Sequence, residues 1–351
     1  MNARVSWLAG FAVLALLITP MSACRQKEAA QPPTPTPGAP GVEGEGGGSL
    51  PPPTTSRAIL YQRNHGGSGG PWDLRRIDAD GTNDVEILAD GNWNLEPAWN
   101  CRKRAFAFVS NQADAFLIFI SDDGVGGSLR QVTSPIPGMT NQHDRYPSWQ
   151  TSIAGIDQIV FTSNRPDQRR RTGVFQLWAM RSSGGALHQI VASAGNDSQP
   201  VWKPGTSLIA FSSDQADGNY EIFTIENGGL QLARVTQLVG RRDVHPTWST
   251  QDQIAYESSN PRETDTSIVI SPAAGGDART VKATTTLIPR NVDPAFSPDG
   301  NEIVFAKQDA TGQFDLYIMD RNGGNEKQVT NTPNLSEREP EWIHGPSDFC
   351  P

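Results

Sequence analysis

A proline followed two residues later by a large aromatic recurs six times, as Pro97/Trp99, Pro147/Trp149, Pro200/Trp202, Pro246/Trp248, Pro294/Phe296 and Pro340/Trp342. Subtracting neighbouring proline numbers gives steps of 50, 53, 46, 48 and 46 residues. Self-similarity at such a period marks units that cannot bury their apolar faces alone and must stack on copies of themselves. The fold is therefore an array of like parts.

The last full unit shows what each part contains. Pro294 opens a first strand over 294–297, as proline is tolerated at a strand's first residue. Ser297-Pro298-Asp299-Gly300 carries turn chemistry, and 303–306 is a continuous apolar run suited to a strand covered on both faces. A third strand over 316–319, the hairpin Asn322-Gly323-Gly324 and a short polar fourth strand over 328–330 complete it. Residues 57–88 supply a second, third and fourth strand without a first, whereas 340–343 supply a first strand with nothing after it. Joined, the ends make a sixth unit. No sustained apolar spacing of 3.6 residues appears after the N-terminus, and 9 Trp and 34 Gly suit short strands and tight turns. The expected fold is all-β, a six-bladed β-propeller of four-stranded antiparallel blades closed by strands from both termini.

The pattern Asp/Asn-x-x-Pro-x-Trp/Phe-Ser-Pro-Asp-Gly-x-x-Ile-x-Phe, best seen from Asp293 to Phe305, resembles the WD40-like repeats of TolB-type six-bladed propellers. The resemblance covers residues 57 to about 343. Its turn is degraded in other repeats, as in Asn100-Cys101-Arg102-Lys103. It implies a binding or scaffolding propeller of the cell envelope. TolB carries a further N-terminal α/β domain, and this chain has a tether in its place.

That tether follows an address. Arg4 precedes an apolar run over 7–18, and Thr19-Pro20-Met21-Ser22-Ala23-Cys24 follows. The run is short for a bilayer span but fits a secretory signal. Small residues before a cysteine resemble the bacterial lipoprotein signal, which implies that 1–23 is a signal peptide and that Cys24 carries lipid. Residues 24–56, rich in Pro, Thr and Gly, form a solvated tether reaching roughly 30 Å from the membrane. The propeller spans 57–351. The protein is expected to be exported and lipid-anchored to an inner or outer membrane, with its head in the periplasm or outside the cell.

The net charge of −9 argues against nucleic acid, whose phosphates require a basic footprint. No coherent catalytic constellation stands out, so the first expectation is a monomeric, non-catalytic binding module without a cofactor. Its partner is an envelope protein or an acidic ligand. The basic loop with Arg165, Arg169, Arg170 and Arg171, joined by Arg241 and Arg242, is the candidate binding face, because guanidinium groups pair bidentately with carboxylates and phosphates. Functional loops are expected on that face, with the connections between blades. Asn94, Asp144, Asp197, Asp243, Asn291 and Glu337, three residues before each repeated proline, form a polar ring at the channel mouth. That ring holds a cation or ligand, or else bonds local backbone. Similar propellers include oligogalacturonate lyases, which hold a catalytic metal through channel histidines; here only His143 and His245 are placed to do so. Alternatives are thus a metal-dependent carbohydrate-active enzyme and a structural envelope protein. Cys101 and Cys350 fall on one face and either form a disulfide or remain free thiols.

Overall fold

The structure, a computed structural model, describes residues 57–65, 70–150, 157–167, 173–190, 193–283 and 289–343. The signal peptide, the tether with Cys24, Arg169 to Arg171, and Cys350 lie outside the described residues. Among the described residues, twenty-four strands form six four-stranded sheets, every strand pairing within them antiparallel. The first strands of the blades are β4 (Asn94–Asn100), β8 (Asp144–Trp149), β12 (Asp197–Trp202), β16 (Arg242–Trp248), β20 (Asn291–Phe296) and β24 (Ser336–Ile343). Blades one to five take their strands consecutively. The sixth is closed by β24 pairing with β1 (Ala58–Asn64), in the register Ala58↔Ile343 and Asn64↔Ser336. Closure leaves only short outer edges, some of two residues.

The proline lies inside each first strand rather than at its start, and the reason is a bulge. The residue before each proline has positive φ: Glu96, Tyr146, Gln199, His245, Asp293 and Glu339, at 50–53°. The ladder register slips there in every blade, for example between Leu95 and Ala98 and between Val292 and Ala295. Proline has no N–H to give the ladder and disfavours the right-handed helical region for its predecessor, so a bulge is the conformation that accommodates it.

The aromatic two residues on ties neighbouring blades together. The indole N–H of Trp202 donates to Ser148 O at 3.1 Å, that of Trp248 to Val201 O at 3.2 Å, and that of Trp342 to Ala295 O at 3.1 Å. Each bond runs from one blade to the one before it. The hairpin glycines seal the outer side of the same joints. A Cβ at Gly323, whose φ is +86°, would stand 2.0 Å from Val281 O of the preceding blade, so no side chain fits. Between the blades the core is apolar, with Tyr61, Phe108, Phe161, Phe211, Tyr256 and Phe305 at equivalent positions and fully buried.

Candidate functional site

The bulges place six pre-proline side chains on the wall of the central channel. Glu96, Tyr146, Gln199, His245, Asp293 and Glu339 line a cavity of about 220 Å³, together with the proline–aromatic pairs behind them. Pro204, Thr250 and Pro298, from first-to-second-strand turns, also line it. The cavity therefore runs toward the face carrying those turns, not the face of blade connections that sequence reasoning favoured.

Left-handed φ turns the backbone N–H out of the ladder, and the previous blade's side chain accepts it. Gln62 Oε1 accepts from Glu96 N at 2.8 Å, Glu96 Oε2 from Tyr146 N at 2.6 Å, and Gln199 Oε1 from His245 N at 3.2 Å. Asp293 Oδ2 likewise accepts from Glu339 N at 3.3 Å. The ring is thus a chain of blade-to-blade contacts whose members differ in chemistry.

Its charges are organised around two arginines and a histidine. Arg145 Nε donates to Glu96 Oε1 at 2.8 Å, and a second guanidinium nitrogen bonds the same carboxylate. Arg338 grips both oxygens of Asp293, with Nη2 at 3.1 Å. His245 Nδ1 lies 3.5 Å from Glu257 Oε2, and its Nε2 lies 3.4 Å from Glu339 Oε1 and 3.7 Å from Asp293 Oδ1. Burial alone would lower the imidazole pKa, but Glu339, Glu257 and Asp293 outweigh it and raise it well above the ordinary value. Burial and the charge of Asp293 raise Glu339, and burial pushes Glu341 on the same wall up to about 8. Imidazole, carboxylates, phenol and amide therefore meet in one small volume, where a guest can find both signs of charge and an aromatic face.

One oxygen or nitrogen from each of His245, Glu257 and Asp293 falls within 4.8 Å of the others, a set with the donor types of a metal site. Asp293 is already held by Arg338 and His245 is drawn toward its protonated form, so a cation entering here displaces a proton and competes with a guanidinium.

The residues singled out from sequence fall elsewhere. Asn94, Asp144, Asp197, Asp243, Asn291 and Glu337 are all completely buried. Asn94 Nδ2 donates to Asp90, and Asp197 accepts from Ser213 Oγ at 2.6 Å. Glu337 accepts from Arg63 Nε at 2.8 Å, yet burial and the charge of Asp315 outweigh that partner and hold it up to about 7. Asp243 N donates to Tyr220 O at 2.8 Å, and burial outweighs the Ser258 and Thr236 hydroxyls beside its carboxyl and pushes it up to about 6. Arg165 corrects the expected binding face. It is buried, its Nη2 bonds both oxygens of Asp144 at 2.8 and 2.9 Å, and it stacks on Phe161 and Trp178. A carboxylate as deeply buried as Asp144 needs a counter-charge, and Arg165 folds inward to supply it. Arg241 pairs with Asp265 at 2.7 Å and Arg242 with Glu263 at 3.2 Å, so both surface charges are compensated.

The two histidines part company: His143 stacks on Phe116 with ring centroids 5.1 Å apart, at the blade connection, and only His245 reaches the channel. Cys101 is disulfide-bonded, and the chain's other two cysteines lie outside the described residues. Sequence reasoning missed the pre-proline ring, although a signal was present. The slot before each proline holds Glu, Tyr, Gln, His, Asp and Glu, while the residues around it repeat.

A closed ring of six four-stranded antiparallel blades around an axial cavity defines the six-bladed β-propeller class. Within that class, the profile of the TolB beta propeller domain matches residues 55–288, and the chain belongs to that family. Over 166 residues it is 25% identical to the TolB homolog of Chlorobium luteolum, covering 47% of this chain and 35% of that protein. The fold is similar to the crystal structure of TolB from Acinetobacter baumannii, with TM-score 0.67, 22% identity and coverage of 82% of this chain and 66% of that one. It is also similar to an oligogalacturonate lyase in complex with manganese, with TM-score 0.53, 16% identity and coverage of 79% and 75%. The chain thus spans less than two thirds of both TolB relatives.

Proposed function

We propose that this chain is a non-catalytic binding module of the cell envelope whose axial cavity receives a segment of a partner protein. Lipid on Cys24 and the 24–56 tether hold the head near the membrane and raise its local concentration there. The observation that carries the reading is the pre-proline ring: one backbone conformation repeated six times, presenting five different side-chain types to a common space. Repetition of the scaffold with variation of the tip is how a fold hosts recognition. Family membership supports a binding role.

A photoreactive residue at Thr250, which lines the cavity, tests this. It should crosslink an envelope partner in cells, one at Asp217 in a second-to-third-strand loop should not, and Gln199→Trp should block the Thr250 product. Equal crosslinking from both positions would sink the reading. Mass spectrometry of the envelope-purified chain tests the anchor, by the presence or absence of lipid on Cys24.

The His245–Glu257–Asp293 set favours one second reading, a divalent cation in the channel serving a carbohydrate-active enzyme. Calorimetric titration with manganese or calcium at pH 8 checks it. Saturable binding lost in His245→Gln would favour this reading over the first.

A further inference from the structure

The residue between each proline and its aromatic also lines the channel, two residues nearer the face of first-to-second-strand turns than the pre-proline ring. The six positions hold Ala98, Ser148, Val201, Thr247, Ala295 and Glu341. Five are uncharged, and only the closing strand β24 places a carboxyl there.

The repeat shows what this position does for the fold. Ser148 Oγ accepts from the backbone N–H of Trp202 at 3.2 Å, and Thr247 Oγ1 from that of Phe296 at 3.2 Å. The Glu341 carboxyl likewise accepts from the backbone N–H of Trp99, in the blade after its own. Each bond runs from one blade to the next and needs a single oxygen. A carboxylate therefore brings a second oxygen and a charge that the joint does not use. Two other carboxylates on the wall have guanidinium partners, Glu96 with Arg145 and Asp293 with Arg338. Among the described residues no cation stands close enough to Glu341 to lower its pKa, and burial holds it up to about 8. Glu341 is thus half-buried on the cavity wall without a counter-charge, an arrangement that costs free energy unless a partner arrives.

We propose that Glu341 receives an ammonium group carried by the segment that enters the axial cavity, from either a lysine side chain or a free amino terminus. The inference rests on the partner-binding reading above. An ammonium beside a carboxyl favours the ionised form, so pairing releases the carboxyl proton to water and leaves a charge-assisted hydrogen bond in a confined space. The hydroxyls of Ser148 and Thr247, in alternate blades, can take further N–H donors directly or through water. A metal ion is disfavoured, because one carboxylate among uncharged neighbours supplies too few ligands and Glu341 lies outside the His245–Glu257–Asp293 set.

The test is saturation-transfer NMR on the full chain with three peptides. They are acetyl-Ala-Lys-Ala-amide, Ala-Ala-Ala-amide with its amino terminus free, and the uncharged acetyl-Ala-norleucine-Ala-amide. Each is repeated on Glu341→Thr, which keeps the bond to Trp99 as Thr247 does for Phe296. At least one charged peptide should bind the parent chain, and which one binds identifies the source of the ammonium. The norleucine peptide should not bind. Binding should weaken about tenfold or more in Glu341→Thr, the equivalent of one hydrogen bond to a charged group, with the melting temperature at or above that of the parent. The proposal is overturned if neither charged peptide binds, if the norleucine peptide binds as well as they do, or if Glu341→Thr binds equally. A Glu341→Thr chain that melts well below the parent overturns it too, since the carboxyl would then serve the joint. In cells, Thr250 crosslinking that persists undiminished in Glu341→Thr overturns this inference and leaves the partner reading standing. Absence of crosslinking from the parent sinks both.

Discussion

The six first strands carry two rings of side chains two residues apart, and the rings differ in burial, bonding and diversity. The upper ring (Asn94, Asp144, Asp197, Asp243, Asn291, Glu337) is completely buried and nearly uniform in chemistry. The lower ring (Glu96, Tyr146, Gln199, His245, Asp293, Glu339) sits on left-handed backbone, bonds from blade to blade, and faces a cavity. Uniformity reports a demand every blade shares. Diversity at fixed geometry reports a demand the molecule makes once. The comparison ties the upper ring chiefly to folding, and the recognition proposed above falls to the lower.

The hardest blow to the upper ring is Asp144→Ala, which strands the buried Arg165 guanidinium. Breaking a buried pair by removing one partner costs about 3–5 kcal/mol, and denaturant unfolding should show a loss of that size. Gln199→Leu probes how far the lower ring also serves the fold. It removes the acceptor for His245 N and for Ser212 Oγ, with an expected loss of about 1–3 kcal/mol. A loss equal to that of Asp144→Ala would erase the distinction between the rings.

Titration sharpens the comparison. His245 keeps its proton in the folded state well above its ordinary 6.5, so above that pH the folded chain binds more protons than the unfolded one. Its contribution is complete below pH 6.5 and is lost as pH rises through the elevated value. Glu337, held up to about 7, and Glu341, up to about 8, act in the same sense from 4.5 upward. The melting temperature should thus fall between pH 5 and pH 8, and His245→Gln should flatten the part above 6.5. A rise over that range would contradict the charge arrangement of the channel. The smallest effect belongs to the surface: Arg242→Ala, which loses the pair with Glu263, should cost under about 1 kcal/mol in the same unfolding assay.

The architecture was legible because the Pro-x-Trp period records a joint that every blade must make, with the indole N–H bonded to the previous blade. The split sixth blade was legible too, since residues 57–88 lack a first strand and 340–343 supply one. The site was not. A proline read as a strand's first residue hides the bulge before it, and with it the residues that face the channel. Arg165 looked like a surface charge because the burial of Asp144 appears only once the blade is assembled. His143 and His245 look alike in sequence, but one precedes its strand and the other occupies the bulge.

The most direct test of the division of labour is one paired measurement of melting temperature and Thr250 crosslinking on two variants, Glu339→Gln in the lower ring and Asp144→Asn in the upper. The account predicts that Glu339→Gln loses the crosslinked partner with a much smaller fall in melting temperature than Asp144→Asn shows. Full crosslinking by Glu339→Gln, together with loss of crosslinking by an Asp144→Asn chain that still melts at the parent temperature, would contradict it.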